Sequence, residues 1–330
     1  MERRRTAVTL EDVARAAGVS RATASRALLE DGPGSTPARA RVRAVAEGMG
    51  FRPDPTARAL AGGAGTRVVI AVLGESRAAI ENCEYVGRAL SAAASAADRH
   101  GVGVSLRWAP VHDRGLLPGL AAERGVHGVV LVNTTWPVLE SMPADLRGRV
   151  VSIGIGGGDM PSVDVDSLAG STAVLRHMCA SGRRRVAMIQ PPAWLPCARR
   201  LTLAYRHVMA GEGRPERLVA GGFDLDSGRR GAAEVMARWP DTDAIFAACD
   251  EVAFGAMATL RSLGVRVPGD VAVAGFDDVP AAALGPLSLT TASHPVERIY
   301  AAAVEALLGS PGAMAPRTLL PSELVLRESA

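Results

Sequence analysis

The sequence predicts a small all-α domain followed by a larger α/β core that is built on two doubly wound parallel sheets. Residues 9–29 combine capping residues, helical apolar spacing and a glycine turn, which together indicate two short helices. From Arg67 onward, apolar segments of strand length alternate with amphipathic segments of helix length, and this series occurs twice. A length of 330 residues allows two or three domains.

The first predicted helix follows Thr9, a residue type that suits the N-cap position. Asp12 lies three positions later, where its carboxylate can reach back to the cap and complete a capping box. Gly18 accepts the positive φ that commonly ends a helix. Between these signals one apolar stripe repeats at three- and four-residue spacing: Leu10, Val13, Ala14 and Ala17.

The second predicted helix begins after the cap residue Ser20 and has two different faces. One face points toward the first helix and carries Val19, Ala24, Ala27 and Leu28. The other face points outward and carries Arg21, Ala22, Ser25 and Arg26. This is the helix-turn-helix pattern, in which the second helix lies in the major groove and arginine pairs bidentately with guanine. The alternative is a helical hairpin whose arginine face is only solvated.

Residues 9–26 read TLEDVARAAGVSRATASR and resemble the opening of the LacI/GalR family of transcriptional repressors. The resemblance implies that Arg21, Ala22 and Arg26 read bases. It also implies phosphate contacts for four hydroxyl side chains, which are Thr9, Ser20, Thr23 and Ser25. The chain departs from the family pattern at Ala24, where Val is usual, and at Leu29, where Asn is usual. The second departure removes a possible polar contact with DNA.

A third helix is predicted to complete this helix-turn-helix domain, which covers residues 7–53. Ser35 or Thr36 caps the helix and Pro37 lies in its first turn. The apolar positions again recur at three- and four-residue spacing: Val42, Val45, Ala46 and Met49. Gly50 and Phe51 end the helix.

Residues 54–65 are predicted to form a hinge helix and linker. Asp54 is the N-cap, but glycines stop the helix well before the roughly 12 residues that an isolated helix needs. The resemblance implies that such a hinge orders on the operator, and Leu60 matches the leucine that enters the minor groove. Arg58 lies where a phosphate or minor-groove contact could form. The alternative is a plain interdomain linker with one buried leucine.

The core is predicted as two series of strands and helices. The first series has strands over 68–73, 102–106, 126–132 and 150–155, with a helix over 83–99. The second series has strands over 185–189, 244–248 and 271–274. Its helices cover 167–180, 198–210, 227–238 and 252–263. Such alternation indicates parallel sheets that are covered on both faces, in two lobes.

The core also resembles the same family, whose core has the two-lobed fold of periplasmic sugar-binding proteins. The matching landmarks are SVDVD at 162–166, CDEVAFG at 249–255 and PGDVAVAGFDD at 268–278. The resemblance implies a small molecule between the lobes and chain crossings near 163–166, 291–293 and 320–321. It divides the core into an N-subdomain, 66–163 plus 293–320, and a C-subdomain, 164–292 plus 321–330.

Candidate effector contacts lie at the ends of the predicted strands. Asp250 and Asp277 each follow an apolar strand, and ligands of parallel sheets bind beyond the carboxyl ends of strands. By the resemblance, Asp277 matches the aspartate that binds effector hydroxyls. The other contacts that the resemblance implies are Arg200, Phe223, Cys249 and His294. The alternative for both acids is turn or helix capping. The N-lobe half of the pocket does not follow the family pattern.

Composition excludes several classes of protein. The four cysteines, Cys83, Cys179, Cys197 and Cys249, contain no C-x-x-C pair, so the sequence predicts no metal site, no disulfide framework and no cofactor. No apolar stretch approaches the roughly 20 residues that span a bilayer, and the N-terminus lacks a signal-peptide pattern. We therefore expect a cytoplasmic, nucleoid-associated protein.

All 37 basic residues are arginine, and residues 1–65 hold 11 of them against 7 acids, which suits phosphate binding.

These patterns predict a homodimeric repressor of a metabolic operon that binds pseudo-palindromic double-stranded operator DNA. A small-molecule effector, a sugar or sugar derivative, is expected between the core lobes. The alternatives are a solute-binding protein and an effector-independent regulator with the same core. An enzyme is disfavoured, because no G-x-G-x-x-G follows a strand and no Ser-His-Asp or metal-ligand spacing occurs.

Overall fold

The computed structural model describes residues 8–28, 37–51, 66–77, 80, 83–157, 160–285, 287–309 and 316–330. These fall into two compact units, Met1–Thr66 and Arg67–Ala330. The predicted hinge, with Arg58 and Leu60, lies outside the described residues, as do Leu29 and the candidate caps Ser35 and Thr36. No helix of the described residues is long and apolar enough to cross a membrane.

The N-terminal unit contains the three predicted helices: α1 Leu10–Ala16, α2 Arg21–Ala27 and α3 Pro37–Gly48. The capping box is confirmed, because Asp12 N–H donates to Thr9 Oγ1 at 3.3 Å and Thr9 N–H donates to Asp12 Oδ2 at 3.0 Å. The turn after α1 is confirmed by Gly18, whose φ of +65° favours glycine. Local signals therefore set both helix termini correctly.

Small apolar residues fill the core of this unit: Val13, Ala14, Ala17, Ala24, Ala27, Val42 and Ala46. Ala24 is fully buried, so the residue that replaces the usual Val lies where the helices pack. Arg41 Nε donates to the carbonyl oxygen of Ala17 at 3.0 Å and connects α3 to the end of α1. The prediction for Met49 is wrong. Met49 is 36% exposed, although its N–H still bonds to the carbonyl oxygen of Val45 at 3.0 Å, so it lies at the very end of α3 and outside the core.

The core unit alternates strands and helices. Its strands in chain order are β1 Arg67–Leu73, β2 Gly103–Ala109, β3 Val126–Val132, β4 Val150–Ile153, β5 Ser162–Val165, β6 Val186–Ile189, β7 Leu218–Val219, β8 Ala244–Ala247, β9 Ala272–Ala274, β10 Thr291–Ala292, β11 Arg317–Leu320 and β12 Leu324–Val325. Its helices are α4 Glu84–Asp98, α5 Leu116–Ala122, α6 Trp136–Glu140, α7 Ser167–Ala180, α8 Arg199–Gly211, α9 Leu225–Arg238, α10 Asp250–Ser262, α11 Ala281–Leu284 and α12 Val296–Leu308.

The described strands form two parallel sheets and one short antiparallel pair. The first lobe is built on the sheet β11-β5-β4-β3-β1-β2, and the second lobe on the sheet β7-β6-β8-β9. The antiparallel pair joins β10 and β12 beside the second lobe. Strands β1, β4, β6 and β8 are buried along nearly their whole length, as expected of parallel strands with helices on both faces.

The chain passes between the lobes after β5, around β10 and after β11. All four residues of β5 pair within the first sheet, since Ser162 and Val163 pair with β4 and Ser162–Val165 pair with β11. The predicted boundary between residues 163 and 164 therefore falls inside a strand. The carboxyl ends of both sheets face the space between the lobes, where a ligand of this fold binds.

Several core elements were not predicted, among them helix α12 and strand β11. Helix α12 packs on α4 and buries Val296, Ile299, Tyr300, Ala303, Val304 and Leu307. This spacing of three and four residues is a helical signal that the sequence analysis left out. Strand β11 gives little signal, because its four residues are only partly buried or exposed.

Candidate DNA-reading helix and effector cavity

Helix α2 presents its first residues to solvent, as a reading helix requires. Arg21 and Ala22 are exposed, Ser25 is partly buried, and Ala24 on the opposite face is fully buried. Arg26 lies in the last turn of α2, but its side chain is outside the described part of the chain. The predicted division of α2 into an inward and an outward face is consistent with these exposures.

Three of the hydroxyls implied as phosphate contacts already make local hydrogen bonds. Ser20 Oγ accepts from Thr23 N–H at 3.1 Å and lies 2.9 Å from Thr23 Oγ1. Thr9 Oγ1 donates to Asp12 Oδ2 at 2.6 Å. These bonds order the starts of α1 and α2, where main-chain N–H groups point away from the helix and can donate to a phosphate.

A cavity of about 320 Å³ lies between the two lobes of the core. Five of the six predicted effector residues line it: Arg200, Phe223, Cys249, Asp277 and His294. The first lobe contributes the ends of β1, β3 and β4 and the start of α4. The volume falls near the lower end of the roughly 300–1,000 Å³ that is typical of ligand pockets.

Asp250 is the sixth predicted residue, and its prediction as an effector contact is wrong. The side chain is fully buried at the first turn of α10 and does not line the cavity. Its Oδ1 accepts from Thr291 Oγ1 at 2.6 Å, and its Oδ2 accepts from Val279 N–H at 2.9 Å. A Cβ added at Gly275 would collide with Oδ1 of Asp250, so only glycine fits at this position of the loop. Burial and then the nearby Asp277 raise the pKa of this carboxyl.

Asp277 is directed into the cavity by its backbone. Its φ of +116° is a conformation that residues other than glycine rarely adopt, and its Oδ1 lies 2.8 Å from His294 Nδ1. The ring of Tyr85 lies 5.1 Å from the ring of His294 and limits the positions that His294 can take. The pair therefore presents a carboxylate and an imidazole side by side, which together can accept and donate hydrogen bonds.

Arg88 on α4 supports this pair from the first lobe. Its guanidinium donates to the carbonyl oxygens of Asp277 at 3.3 Å and His294 at 3.4 Å. It also forms two hydrogen bonds with Glu297, at 2.8 and 2.9 Å. These bonds raise the pKa of Arg88 and lower the pKa of Glu297, so both stay charged. The positive φ of Asp277 is therefore supported by the charged guanidinium of Arg88, which donates to the Asp277 carbonyl oxygen.

Arg200, at the start of α8, also lines the cavity. It forms an ion pair with Asp164, which is 5% exposed, and its Nε donates to the carbonyl oxygen of Cys197 at 3.2 Å. Tyr205, on the same helix, is fully buried and donates to the carbonyl oxygen of Val186 at 2.8 Å. Arg200 therefore lines the cavity, whereas Tyr205 belongs to the core.

Three buried or partly buried thiols line the cavity, those of Cys83, Cys197 and Cys249. Burial is the main cause that raises the pKa of Cys83 and of Cys197 to about 12, and burial also raises the pKa of Cys249 well above its ordinary value. The thiol of Cys249 donates to the carbonyl oxygen of Phe223 at 3.7 Å. All three are neutral near pH 7 and act as small apolar walls.

Sequence reasoning missed several lining residues, of which Glu251 and Trp194 matter most. Glu251 belongs to the second lobe, yet it accepts from Glu84 N–H at the start of α4 in the first lobe, at 3.2 Å. Burial raises the pKa of Glu251. Trp194 has a buried Nε1 with no acceptor among the described residues. An aromatic side chain in a proline-containing loop after β6 was the available signal for Trp194.

Each of the two units matches a family of known proteins. Residues 9–54 match the model for bacterial regulatory proteins of the lacI family, and residues 175–330 match the periplasmic binding protein-like domain. The HTH-type transcriptional regulator CelR of Thermobifida fusca is 31% identical over 309 residues, which cover 90% of this chain and 89% of that protein.

Solved structures agree in fold. The complex of the transcriptional regulator CelR with cellobiose superposes with a TM-score of 0.72 at 27% identity, covering 98% of this chain and 100% of that one. The Lac repressor dimer bound to operator and the anti-inducer ONPF superposes with a TM-score of 0.80 at 23% identity, covering 98% and 99%. The chain therefore belongs to the LacI family of bacterial regulatory proteins.

Proposed function

We propose that this protein is a homodimeric repressor of a metabolic operon, and that a sugar in the cavity between the lobes sets its affinity for operator DNA. The observation that carries the proposal is the cavity itself. It combines the Asp277 and His294 pair, the guanidinium of Arg200 and the ring of Phe223 in a chain that also holds a reading helix. The cellobiose complex of the similar regulator CelR supports a sugar as the effector.

The cavity residues take distinct roles in this proposal. Asp277 accepts from sugar hydroxyls, His294 holds the Asp277 carboxylate and adds a ring nitrogen, and Arg200 donates from the start of α8. Phe223 packs on the apolar face of the sugar ring. The indole N–H of Trp194 gains an acceptor when a hydroxyl oxygen occupies the cavity, which removes an unsatisfied buried donor.

On DNA, Arg21, Ala22 and Arg26 read base edges, while Thr9, Ser20, Thr23 and Ser25 contact phosphates. Leu60 of the hinge enters the minor groove, and Arg58 contacts either a phosphate or the minor groove. The core divides into the subdomains that the sequence predicts, with the first boundary moved past β5. The protein works in the cytoplasm on nucleoid DNA, needs no cofactor and catalyses no reaction. Purified core that turned over a small substrate would contradict the last statement.

The effector acts on DNA binding through the lobes. A ligand shifts a conformational equilibrium only by the difference of its affinity for the two states. Bonds such as that of Glu251 to Glu84 N–H, and of Arg88 to Asp277, join the lobes beside the cavity and depend on how the lobes are arranged. The sugar therefore changes the relative stability of lobe arrangements that hold the hinge segments differently.

Arginine substitution in α2 tests the DNA-reading part of the proposal. Operator sites are first selected from a random palindromic duplex library, and binding is then measured against random competitor at fixed salt. Arg26→Ala should lose about 1–3 kcal/mol of preference for the selected site, because a bidentate base contact disappears.

The matched control is Arg15→Ala, on α1, where the arginine is exposed and lies 3.5 Å from Asp12. This variant should weaken binding to all sequences equally if it has any effect, since phosphate contacts carry no sequence information. An unchanged sequence preference in Arg26→Ala would contradict the reading role.

A further inference from the structure

A second cavity, of about 360 Å³, adjoins the cavity between the lobes. Gly154, Cys197 and Arg200 line both cavities, so the two spaces share a wall. The other described residues of the second cavity are Trp136 on α6, residues 155–157 and Met160 after β4, Ser162 of β5, Pro196 before α8, and Pro316 and Arg317 at the start of β11. The sequence predicted no second cavity beside the one between the lobes.

Trp136 is the main apolar surface of the second cavity. It is the first residue of α6, and its side chain is 51% exposed, which is unusual for so large an aromatic residue. The preceding residue, Thr135, is almost fully buried, and its hydroxyl donates to the carbonyl oxygen of Val111 at 2.9 Å. The buried, hydrogen-bonded Thr135 therefore fixes the backbone at the start of α6, and the adjacent indole of Trp136 is exposed to solvent.

Gly157, in the described part of the segment after β4, leaves space beside the ring of Trp136. A Cβ added at Gly157 would lie 3.7 Å from the ring of Trp136, which is van der Waals contact. Glycine at this position keeps the approach to the ring clear, whereas any larger side chain would occupy it. Ring and loop together form a shallow slot.

The shared wall is thin at Gly154. This residue has a φ of +103°, and a Cβ there would lie 3.0 Å from Cβ of Cys197, so the loop passes unusually close to the second lobe. Arg200, like Gly154 and Cys197, lines both cavities. Its Nε and Nη2 donate to Cys197 and Asp164, and its Nη1 has no acceptor among the described residues.

We propose that the effector contains at least two sugar rings, one between the lobes and the next stacked on Trp136 in the second cavity. This inference rests on the proposed sugar-responsive function. Each cavity lies near the lower end of the range for ligand pockets, roughly 300–1,000 Å³, so each suits one ring. Arg200 Nη1 donates to the oxygen that links the rings, and the apolar face of the distal ring covers the indole.

Calorimetric titration of the full chain tests this inference with matched sugars: glucose against cellobiose and maltose, and galactose against lactose. At least one disaccharide should bind wild-type protein about tenfold more tightly than its own monosaccharide, because the distal ring buries its apolar face against the indole. Trp136→Ala should remove this advantage and leave the affinity for the monosaccharide unchanged.

Two further variants make the test specific. Gly157→Val keeps the indole but fills the slot beside it, so it should abolish the disaccharide advantage as Trp136→Ala does. Leu203→Ala is the control, because this side chain is 53% exposed on α8 and lines neither cavity. It should bind both sugars as wild type does.

The remaining outcomes separate the inference from the function on which it rests. If sugars bind but length makes no difference, or if Trp136→Ala keeps the disaccharide advantage, the second cavity is not a sugar site and the sugar-responsive function stands. If no sugar of the series binds wild-type protein, the proposed sugar effector fails, and this inference fails with it.

Discussion

The ends of two neighbouring strands, β8 and β9, behave differently although their sequences predict the same role. Each strand is soon followed by an aspartate, Asp250 after β8 and Asp277 after β9. Asp250 is fully buried and bonds to Val279 N–H and the Thr291 hydroxyl, whereas Asp277 lines the cavity beside His294. A position at the end of a parallel strand brings an acid to the cleft edge of the sheet. The backbone conformation then decides whether the acid faces the ligand or the protein.

The two environments explain the difference. Asp250 opens helix α10, and its main-chain N–H donates to the carbonyl oxygen of Phe276 at 2.8 Å, which draws the side chain under the loop that precedes Asp277. Asp277 has a positive φ that turns its side chain the other way. Asp250 therefore shapes the loop from which Asp277 projects, and its substitution should affect effector binding only through stability.

Removal of the Asp250 carboxylate should have the largest effect on stability. Asp250→Ala removes the acceptor of the buried Val279 N–H and leaves the Thr291 hydroxyl only a 3.5 Å contact with the carbonyl oxygen of Ala292, at a cost of about 2–5 kcal/mol in the free energy of unfolding of the core. Urea unfolding followed by circular dichroism measures the change. The control is Asp226→Ala, where the aspartate is 69% exposed and pairs only with Arg229, and it should cost less than about 1 kcal/mol. Equal losses in the two variants would show that Asp250 is not structural.

Asp277→Asn should have little effect on the stability of the core and a large effect on sugar affinity, the opposite of what we expect for Asp250→Ala. The free energy of unfolding should change by less than about 1 kcal/mol, because the side chain is at the cavity surface and Asn keeps its shape. Affinity for the tightest sugar of the calorimetric series should fall about 10- to 100-fold, since hydrogen bonds to a charged acceptor are worth about 1.5–3 kcal/mol. Destabilisation with unchanged sugar affinity would mean that Asp277 and Asp250 have the same structural role.

Glu251 sharpens the comparison, because it lines the cavity and also bonds across the lobes, and we expect its effect to be the smallest. Burial raises its pKa in the folded state above the ordinary value of 4.5. The folded state therefore holds this proton more tightly than the unfolded chain does. Its contribution to stability is fully present below pH 4.5 and is lost as the pH rises through the raised pKa.

Glu251→Gln mimics the protonated acid at every pH, so its melting temperature should rise relative to wild type between pH 4.5 and pH 7.5. Differential scanning fluorimetry at a series of pH values measures this difference. The control is Glu234→Gln, whose carboxylate is exposed and pairs with Arg238 on the same helix. Parallel profiles for wild type and Glu251→Gln would contradict the assigned burial effect.

Prediction from the sequence succeeded where the deciding contacts are close in the chain. The capping box joins Thr9 to Asp12 and the glycine turn is a property of Gly18 alone, so both are visible in a few letters. It failed at Met49 for a related reason. The helical spacing continues through Met49, but the helix stops one residue earlier, and element ends are set by competition among weak terminal signals.

The effector cavity shows the limit of local reasoning. Glu251 meets Glu84 across 167 residues of chain, and Arg88 meets Asp277 across 189. Neither pair has a spacing that any sequence pattern encodes. Trp136 and Trp194 come from separate lobes, and only the packed core brings both toward Arg200.

By itself the sequence determined the Thr9 cap, the outward position of Arg21 on α2, the alternation of strands and helices, and the strand ends at which polar residues collect. These follow from hydrogen bonds and apolar periods that span a few residues. Only the tertiary structure decided that Asp277 lines the cavity between the lobes, that Asp250 does not, and that Trp136 lines a second cavity. Those outcomes depend on how two lobes pack and on backbone torsions that the packing stabilises, and residues distant in the chain contribute to both.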